Sequence, residues 1–354
     1  MNTRIVKVHP ANPEFESIVE AANVIREGGL VIFPTETVYG IAADFNNPVA
    51  MKRLREVKRR QDNKPFSILI SHKGIIENYT GYNDPRLYKL IDEYWPGPLT
   101  VIVPSRQEGE TIGIRMPDNT IALRMVEQSQ CTIAAPSANF EGKKPAETCQ
   151  EALQDLNGLV ELALDGGPVE LGKSSSIVDF TQGAPKIIRE GAITQADVDR
   201  AVGRKFFLFV CTGNSCRSVM AEYLFNHMTG VRPDVRAVSA GTSVFFKSTA
   251  SAETVAVLRQ LGIDASKHQS RPLSNMALKK ADLIFVMTLM HRMQVLEREP
   301  SVEQKIYLLK EFTNIPKGFE SDLDIADPIG RSHEAYEECM LMIKEGIEKI
   351  VKLI

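Results

Sequence analysis

Two α/β domains joined in one chain are predicted by three observations. The length of 354 residues is about twice what one ordinary domain needs, at roughly 100–200 residues each. The first two hundred residues mix short apolar runs with irregular connections, whereas from about Phe206 apolar runs and helical patterns alternate regularly. Between them Thr194–Lys205 is polar, helix-like and without a core stripe, which sets a boundary between domains at 1–200 and 205–354. The first domain is therefore expected to be a mixed, twisted α/β sheet, and the second a doubly wound parallel sheet.

The elements follow from periodicity and punctuation. Phe15–Arg26 has the spacing of an amphipathic helix that stops at Gly28-Gly29, and Leu30–Phe33 is a buried strand stopped by Pro34. Strands are predicted at 66–71, 99–104, 111–116, 131–135, 160–164, 175–180 and 186–189, with helices at 84–94 and 146–154. In the second domain the order is strand 206–210, helix 218–228, strand 235–239, helix 250–261, strand 283–287, helix 289–298 and strand 305–309. A closing helix puts Tyr336, Met340, Ile343, Ile347, Ile350 and Ile354 on one stripe.

Composition narrows the function. Forty-two basic against 45 acidic residues gives a net charge of −3, which excludes a chain-wide polyanion binder but leaves room for a local basic patch. A hydrophobic share of 43% with 25% charged residues excludes disorder, collagen and coiled coil. No apolar run reaches the roughly 18–20 residues of a membrane span, and Met1–Lys7 has no secretory pattern. The five cysteines, an odd number without framework spacing, point to a reduced, cytoplasmic setting. No CxxC or HExxH string suggests a protein-held metal.

The most informative string is Cys211-Thr212-Gly213-Asn214-Ser215-Cys216-Arg217-Ser218, between a predicted strand and a predicted helix. A loop feeding a helix N-terminus aims backbone N–H groups and the positive end of the helix dipole at one point, a nest for a phosphate dianion. The same field favours the Cys211 thiolate. Arg217 can grip two phosphate oxygens with its planar fork, Gly213 permits the loop's backbone, and the Ser218 hydroxyl can donate to the sulfur. A lone cysteine after an apolar strand is more often a small core residue, and a lone Asp-Pro more often a turn. Here they occur together, in the right order.

This C-x5-R-S signature, with Ser239-Ala240-Gly241-Thr242, Gly262-Ile263-Asp264, His268 and Asp324–Pro328, resembles the low-molecular-weight protein tyrosine phosphatases over about Lys205–Ile354. The resemblance implies that Asp327 is the general acid, that Asn214 orients the loop, and that Cys216 can form a protective disulfide with Cys211. His268 reads as structural. Thioredoxin-coupled arsenate reductases share the fold but need a relay of thiols. Beyond Cys216 only Cys339 remains, in the closing helix and expected to be buried, so hydrolysis is preferred. Tyrosine-directed relatives carry a bulky apolar residue before the second cysteine and arginine-directed ones a threonine. Ser215 stands there, and Ile329 rather than a tyrosine follows Asp327-Pro328, so phosphotyrosine and phosphoarginine proteins both stay open as substrates.

In the first domain Phe33–Gly40 ends a strand in a hydroxyl-rich turn, and a basic helix Lys52–Arg60 with Lys64-Pro65 follows. Lys58 and Arg60, taken as solvated, can neutralise a polyphosphate, and Arg115 can pair with a carboxylate. Ser137 and Asn139 offer short polar groups where α/β clefts form. No Walker A string is present. In this order the motifs, with Pro34–Thr37 and Trp95–Thr100, resemble the YrdC/TsaC-type threonylcarbamoyl-AMP synthases over about residues 1–200.

The synthase family's KxR…SxN tetrad falls on Lys58, Arg60, Ser137 and Asn139. The resemblance implies nucleotidyl transfer from ATP, with Mg²⁺, to L-threonine and bicarbonate for the t6A modification of tRNA. It implies ATP contacts at Ser175 and Arg189, threonine contacts at Thr35 and Arg115, and other t6A-pathway proteins as partners. Ser175-Ser176-Ile177 and Arg189-Glu190-Gly191 depart from the usual Ser-Thr-Ile and Arg-Pro-Gly, and Glu141 stands where a small residue is common. A module that only binds tRNA or double-stranded RNA is the alternative.

Overall fold

The computed structural model describes residues 2–60, 65–230, 232–314 and 322–354, so Lys64 lies outside the described residues. It divides into one unit of Met1–Tyr82 with Lys89–Ala201, and a second of Asn83–Tyr88 with Val202–Ile354. Among the described residues no helix is long and apolar enough to cross a membrane.

The first unit is built on a ten-stranded mixed sheet. Its strands are β1 (Arg4–Lys7), β2 (Val31–Phe33), β3 (Gly40–Asp44), β4 (Ile68–Leu69), β5 (Leu99–Pro104), β6 (Thr111–Arg115), β7 (Ile133–Ala134), β8 (Leu162–Asp165), β9 (Ser176–Asp179) and β10 (Lys186–Arg189). They run in the order β1-β8-β2-β3-β7-β4-β6-β5-β9-β10. The helices are α1 (Phe15–Arg26), α2 (Pro48–Lys58), α3 (Pro85–Tyr94, of which residues 85–88 count with the second unit), α4 (Thr120–Ser129) and α5 (Cys149–Leu156). Strand alternation sends Val31 and Phe33 of β2 to the same core as Ile18, Ala21 and Ile25 of α1 and Ile121, Ala122 and Met125 of α4. Ile32 goes to the other core, with Leu54 and Val57 of α2 and Ala152 and Leu156 of α5. The mixed sheet is as expected.

Several details differ from the sequence reading. β1, β3 and α4 were not foreseen. β3 reads Gly-Ile-Ala-Ala-Asp, mostly small residues with Ile41 its single β-branched one, although four of its five positions are buried. The expected strands at 66–71 and 131–135 shrink to two residues each; Ala135 N–H still donates to the Ser67 carbonyl at 3.0 Å at their edge, where Phe66, Ser67 and Ala135 line a cavity. The boundary segment is not coreless: it forms α6 (Gln195–Gly203), in which Val198 and Ala201 are buried.

The second unit holds a four-stranded, wholly parallel sheet of β11 (Lys205–Cys211), β12 (Val235–Gly241), β13 (Leu283–Val286) and β14 (Ile306–Leu308), in the order β12-β11-β13-β14. Its helices are α7 (Arg217–Thr229), α8 (Ala252–Gln260), α9 (Asn275–Lys280), α10 (Leu289–Arg298) and α11 (His333–Lys352). Phe207, Phe209 and Cys211 of β11 share a core with α7, α8 and the stripe Tyr336, Met340, Ile343, Ile347 and Ile350 of α11. Phe206, Leu208 and Val210 share the other with Leu278 of α9 and Val295 of α10. Both faces are covered, which is the doubly wound arrangement that regular β–α alternation predicted.

Candidate functional site

In the second unit β11 ends at Cys211, residues 212–216 turn, and α7 starts at Arg217, so the loop lies where the helix presents its unpaired N–H groups. Asn214, fully buried and left-handed at φ 52°, ties the loop from inside. Its Nδ2 donates to Ser239 Oγ at 2.7 Å and Ser218 Oγ at 3.0 Å, and its Oδ1 accepts the Arg271 backbone N–H at 2.8 Å. Because Ser218 Oγ already accepts from Asn214, its own proton is free for Cys211 Sγ, 2.9 Å away.

Arg217 is buried; its Nη1 donates to the Ile325 carbonyl at 2.9 Å and its Nη2 pairs with Asp327. The Asp327 side chain keeps 41% of its surface in solvent, while Arg217 Nε is buried without a partner. The predicted nucleophile, phosphate fork and acid thus come together from β11, α7 and the segment before α11. His268 is structural, as expected: it is buried and bonded through Nε2 to the Asn214 carbonyl at 3.0 Å, and burial lowers its pKa.

Cys216 lies 3.4 Å from Ser251 Oγ and 3.6 Å from the Tyr336 hydroxyl, and both Cys211 and Cys216 are free thiols. Cys339 is buried, and burial pushes its thiol up to about 12, which keeps it protonated at neutral pH. Sequence reasoning did not foresee Glu222 and Arg271. Glu222 accepts from Ser239 Oγ at 2.5 Å and pairs with Arg271 at 3.3 Å, extending the network behind the loop. Their partners are distant in the chain, and no local pattern announces them.

In the first unit a cavity of about 300 Å³ opens among the ends of β2, β6 and β10 and the loop after β7. Thr35, Arg60, Arg115, Ser137, Ser175 and Arg189 all line it. Arg59, left-handed at φ 52°, ends α2 and turns Arg60 out of the helix, where its Nη2 donates to the Pro65 carbonyl at 2.8 Å. Arg115 pairs with Glu36 at 2.7 Å and donates to Thr37 Oγ1 at 2.8 Å. Arg189 holds the Ser175 carbonyl and hydroxyl at 2.9–3.0 Å, and Ser175 Oγ meets Thr100 Oγ1 at 2.9 Å.

Burial lowers the pKa of Arg189, and the charges of Arg115 and Arg60 lower it further; burial also lowers that of Arg60. Three cations that repel one another, two of them with a buried unpartnered Nε, make a receptor for an anion. Glu36, missed from sequence, is the carboxylate that offsets one of them.

Lys58 and Asn139 are not in that lining. Lys58 corrects the expectation of a solvated lysine: it is 2% exposed, and its ammonium donates to the carbonyls of Ser137 at 2.6 Å and Asn139 at 2.5 Å. Burial, with Arg60 adding to it, pushes its pKa down to about 8. Asn139 turns its amide to the carbonyls of Phe140 and Lys143. These two tetrad members hold the loop that presents Ser137. The Thr35 hydroxyl likewise closes its own turn, donating to the Val38 carbonyl at 2.7 Å.

Residues 23–191 match the Sua5/YciO/YrdC family model, described as telomere recombination, and residues 207–354 match the model for low molecular weight phosphotyrosine protein phosphatase. A threonylcarbamoyl-AMP synthase of Bacillus subtilis is 35% identical over 52% of this chain and 56% of its own length, so the chain spans about half of that relative. A putative threonylcarbamoyl-AMP synthase of Methanocaldococcus jannaschii is 34% identical over 54% of this chain and 95% of its own. The crystal structure of P. abyssi Sua5 complexed with L-threonine aligns with 68% of this chain and 85% of that one, at 26% identity and a TM-score of 0.54. A low molecular weight protein tyrosine phosphatase of T. tengcongensis is 35% identical over 42% of this chain and 99% of its own, with a TM-score of 0.39. The chain belongs to the Sua5/YciO/YrdC family through its first unit, and carries a low-molecular-weight phosphatase domain as its second.

Proposed function

We propose that the first unit condenses ATP, L-threonine and bicarbonate to threonylcarbamoyl-AMP, pyrophosphate and water for tRNA modification, the water leaving as the threonine amine and bicarbonate form the carbamate. The observation that carries this reading is the convergence of Arg60, Arg115 and Arg189 on one cavity. Its support is the identity to threonylcarbamoyl-AMP synthases and the threonine held by P. abyssi Sua5. Threonine carbamate attacks the α-phosphorus, the bond to the β-phosphate oxygen breaks, and the guanidiniums offset the charge that builds on the departing pyrophosphate. Lys58 acts through the loop it ties.

Among the described residues no three His, Cys, Asp or Glu side chains are placed to hold a metal, and Glu36 gives one oxygen to Arg115. In this reading Mg²⁺ enters with the nucleotide, held mainly by its phosphates. Incubating the full chain with MgATP, bicarbonate and threonine should release pyrophosphate. Release no greater than without threonine would overturn the synthase and favour RNA binding.

The second unit is a protein phosphatase in the same reading. The Cys211 thiolate takes the phosphoryl group in the nest, Asp327 gives its proton to the leaving atom, and the resulting carboxylate activates the water that hydrolyses the phosphocysteine. The supporting observation is the pairing of Cys211 with Ser218 opposite Arg217 and Asp327. Matched phosphotyrosine and phosphoarginine peptides decide the substrate. Ser215→Ile should move the kcat/KM ratio toward the phenol, and an unchanged ratio would remove position 215 as selector. Full turnover by Cys211→Ser would end the thiolate mechanism.

A further inference from the structure

Beside the phosphate loop stands a histidine that the reaction above does not use. His291 sits in the first turn of α10 and is 3% exposed. Its Nδ1 lies 2.8 Å from the hydroxyl of Thr288, and its Nε2 lies 2.9 Å from the hydroxyl of Thr212, the residue after Cys211. Thr288 caps α10, its Oγ1 accepting the His291 backbone N–H at 3.3 Å. A hydroxyl has one proton, and the arrangement that spends it inside the cap donates it to Nδ1. The ring proton is then on Nε2 and is donated to Thr212. Burial pushes the ring's pKa down to about 4, with Arg217 adding to it, so the imidazole is neutral and leaves Arg217 as the loop's cation.

On the reading of Cys211 as the phosphoryl acceptor, we propose that His291 is a positioning residue for the phosphoryl group: by donating Nε2–H to Thr212 it fixes that hydroxyl, whose own proton is left for a phosphoryl oxygen of the substrate. Thr212 is exposed, and neither its backbone tie nor its side-chain tie engages that proton: Ser243 N–H donates to its carbonyl, and in this arrangement His291 supplies the donor to its Oγ1. A hydroxyl that already accepts from a fixed ring has little rotational freedom left, so donation to the phosphoryl oxygen costs little ordering.

The test uses the full chain and begins without turnover. Ring ¹⁵N–¹H correlation of labelled histidine at neutral pH should show His291 with its proton on Nε2 and a bare Nδ1; the opposite tautomer or an imidazolium overturns the proposal. Inorganic phosphate should bind Thr212→Val and His291→Leu each roughly tenfold more weakly, the scale of one hydrogen bond to an anion. Thr212→Ser should bind as wild type. The double variant should be no weaker than the weaker single one, because His291 acts through Thr212; additive losses mean independent roles and overturn the proposal.

Should His291→Leu not fold, the contrast between Thr212→Val and Thr212→Ser still decides. With phosphotyrosine and phosphoarginine peptides kcat/KM should fall by the same factor, since the contact is to the shared phosphoryl group; a loss confined to one substrate overturns it. A chain that binds phosphate in this pattern yet hydrolyses neither peptide would refute the phosphatase while leaving the His291 contact standing.

Discussion

Lys58 shows how far burial can change the task of a charged residue. Its place at the end of a basic helix reads as solvated, because helical periodicity reports only neighbours three and four positions away. What buries it is the loop of Ser137 and Asn139, some eighty residues along the chain. The folded pKa of about 8 lies below the ordinary 10.5, so between those values the unfolded chain binds the extra proton. Stability must therefore rise with pH across that window, the cost of burying the ammonium being fully present below it. Lys58→Met removes that titration and leaves two buried carbonyls without their donor, at a cost of about 1–3 kcal/mol. Unfolding of the full chain followed from pH 7.5 to 10.5 should show wild type gaining stability relative to the variant, the titrations that the two proteins share, such as the raised Cys339 thiol, cancelling in the difference. Equal slopes in the two proteins, or a Lys58 Cε resonance that titrates near 10.5, would show the ammonium to be solvated.

At the scale of elements, both sites sit where a strand stops and a backbone comes unusually close. A Cβ on Gly241, the last residue of β12, would stand 2.5 Å from the Thr212 carbonyl and 3.0 Å from the Asn214 nitrogen, inside the phosphate loop's own backbone. A Cβ on Gly191, after β10, would stand 2.1 Å from the Ser174 carbonyl beside the cavity. Gly241→Ala should therefore abolish peptide dephosphorylation and spare pyrophosphate release, and Gly191→Ala should do the reverse. Either variant disabling both reactions, or neither, would break this assignment of site to element.

The phosphate loop was legible because its chemistry is contiguous, from Cys211 to Ser218. Runs such as Phe206–Val210 gave themselves away by their continuous apolar residues. The cavity was legible only in part. Arg60 and Arg115 stood out as charges, but their convergence depends on pairings such as β4 with β6 and β5 with β9, which couple distant segments. β3 stayed hidden because two alanines and a glycine carry no strand preference.

Over the whole molecule the two units have separate sheets and separate cores, one pair of clusters flanking the ten-stranded sheet and another the four-stranded one. Each unit is long enough to bury a core of its own. The sequence marks Thr194–Lys205 as a polar boundary without a core stripe, the kind of segment that proteases cut first. Instead α6 forms there and buries Val198 and Ala201, so a protease would first have to open that helix, and proteolysis is a poor probe of independence. Ligands are a better one, since a molecule that binds one folded unit stabilises that unit alone when the two unfold separately. Calorimetry of the full chain should resolve two transitions. Orthovanadate, a tetrahedral oxyanion for the Cys211 nest, should raise one of them; MgATP with threonine should raise the other. At a hundred times the dissociation constant the gain is about 2.7 kcal/mol, or roughly 5–10 °C for a unit of this size. Cys211→Ala should remove the vanadate shift and leave the nucleotide shift intact. A single transition raised by either ligand would mean that the two units unfold as one cooperative body, and a stabilised phosphatase would then also protect the synthase fused to it.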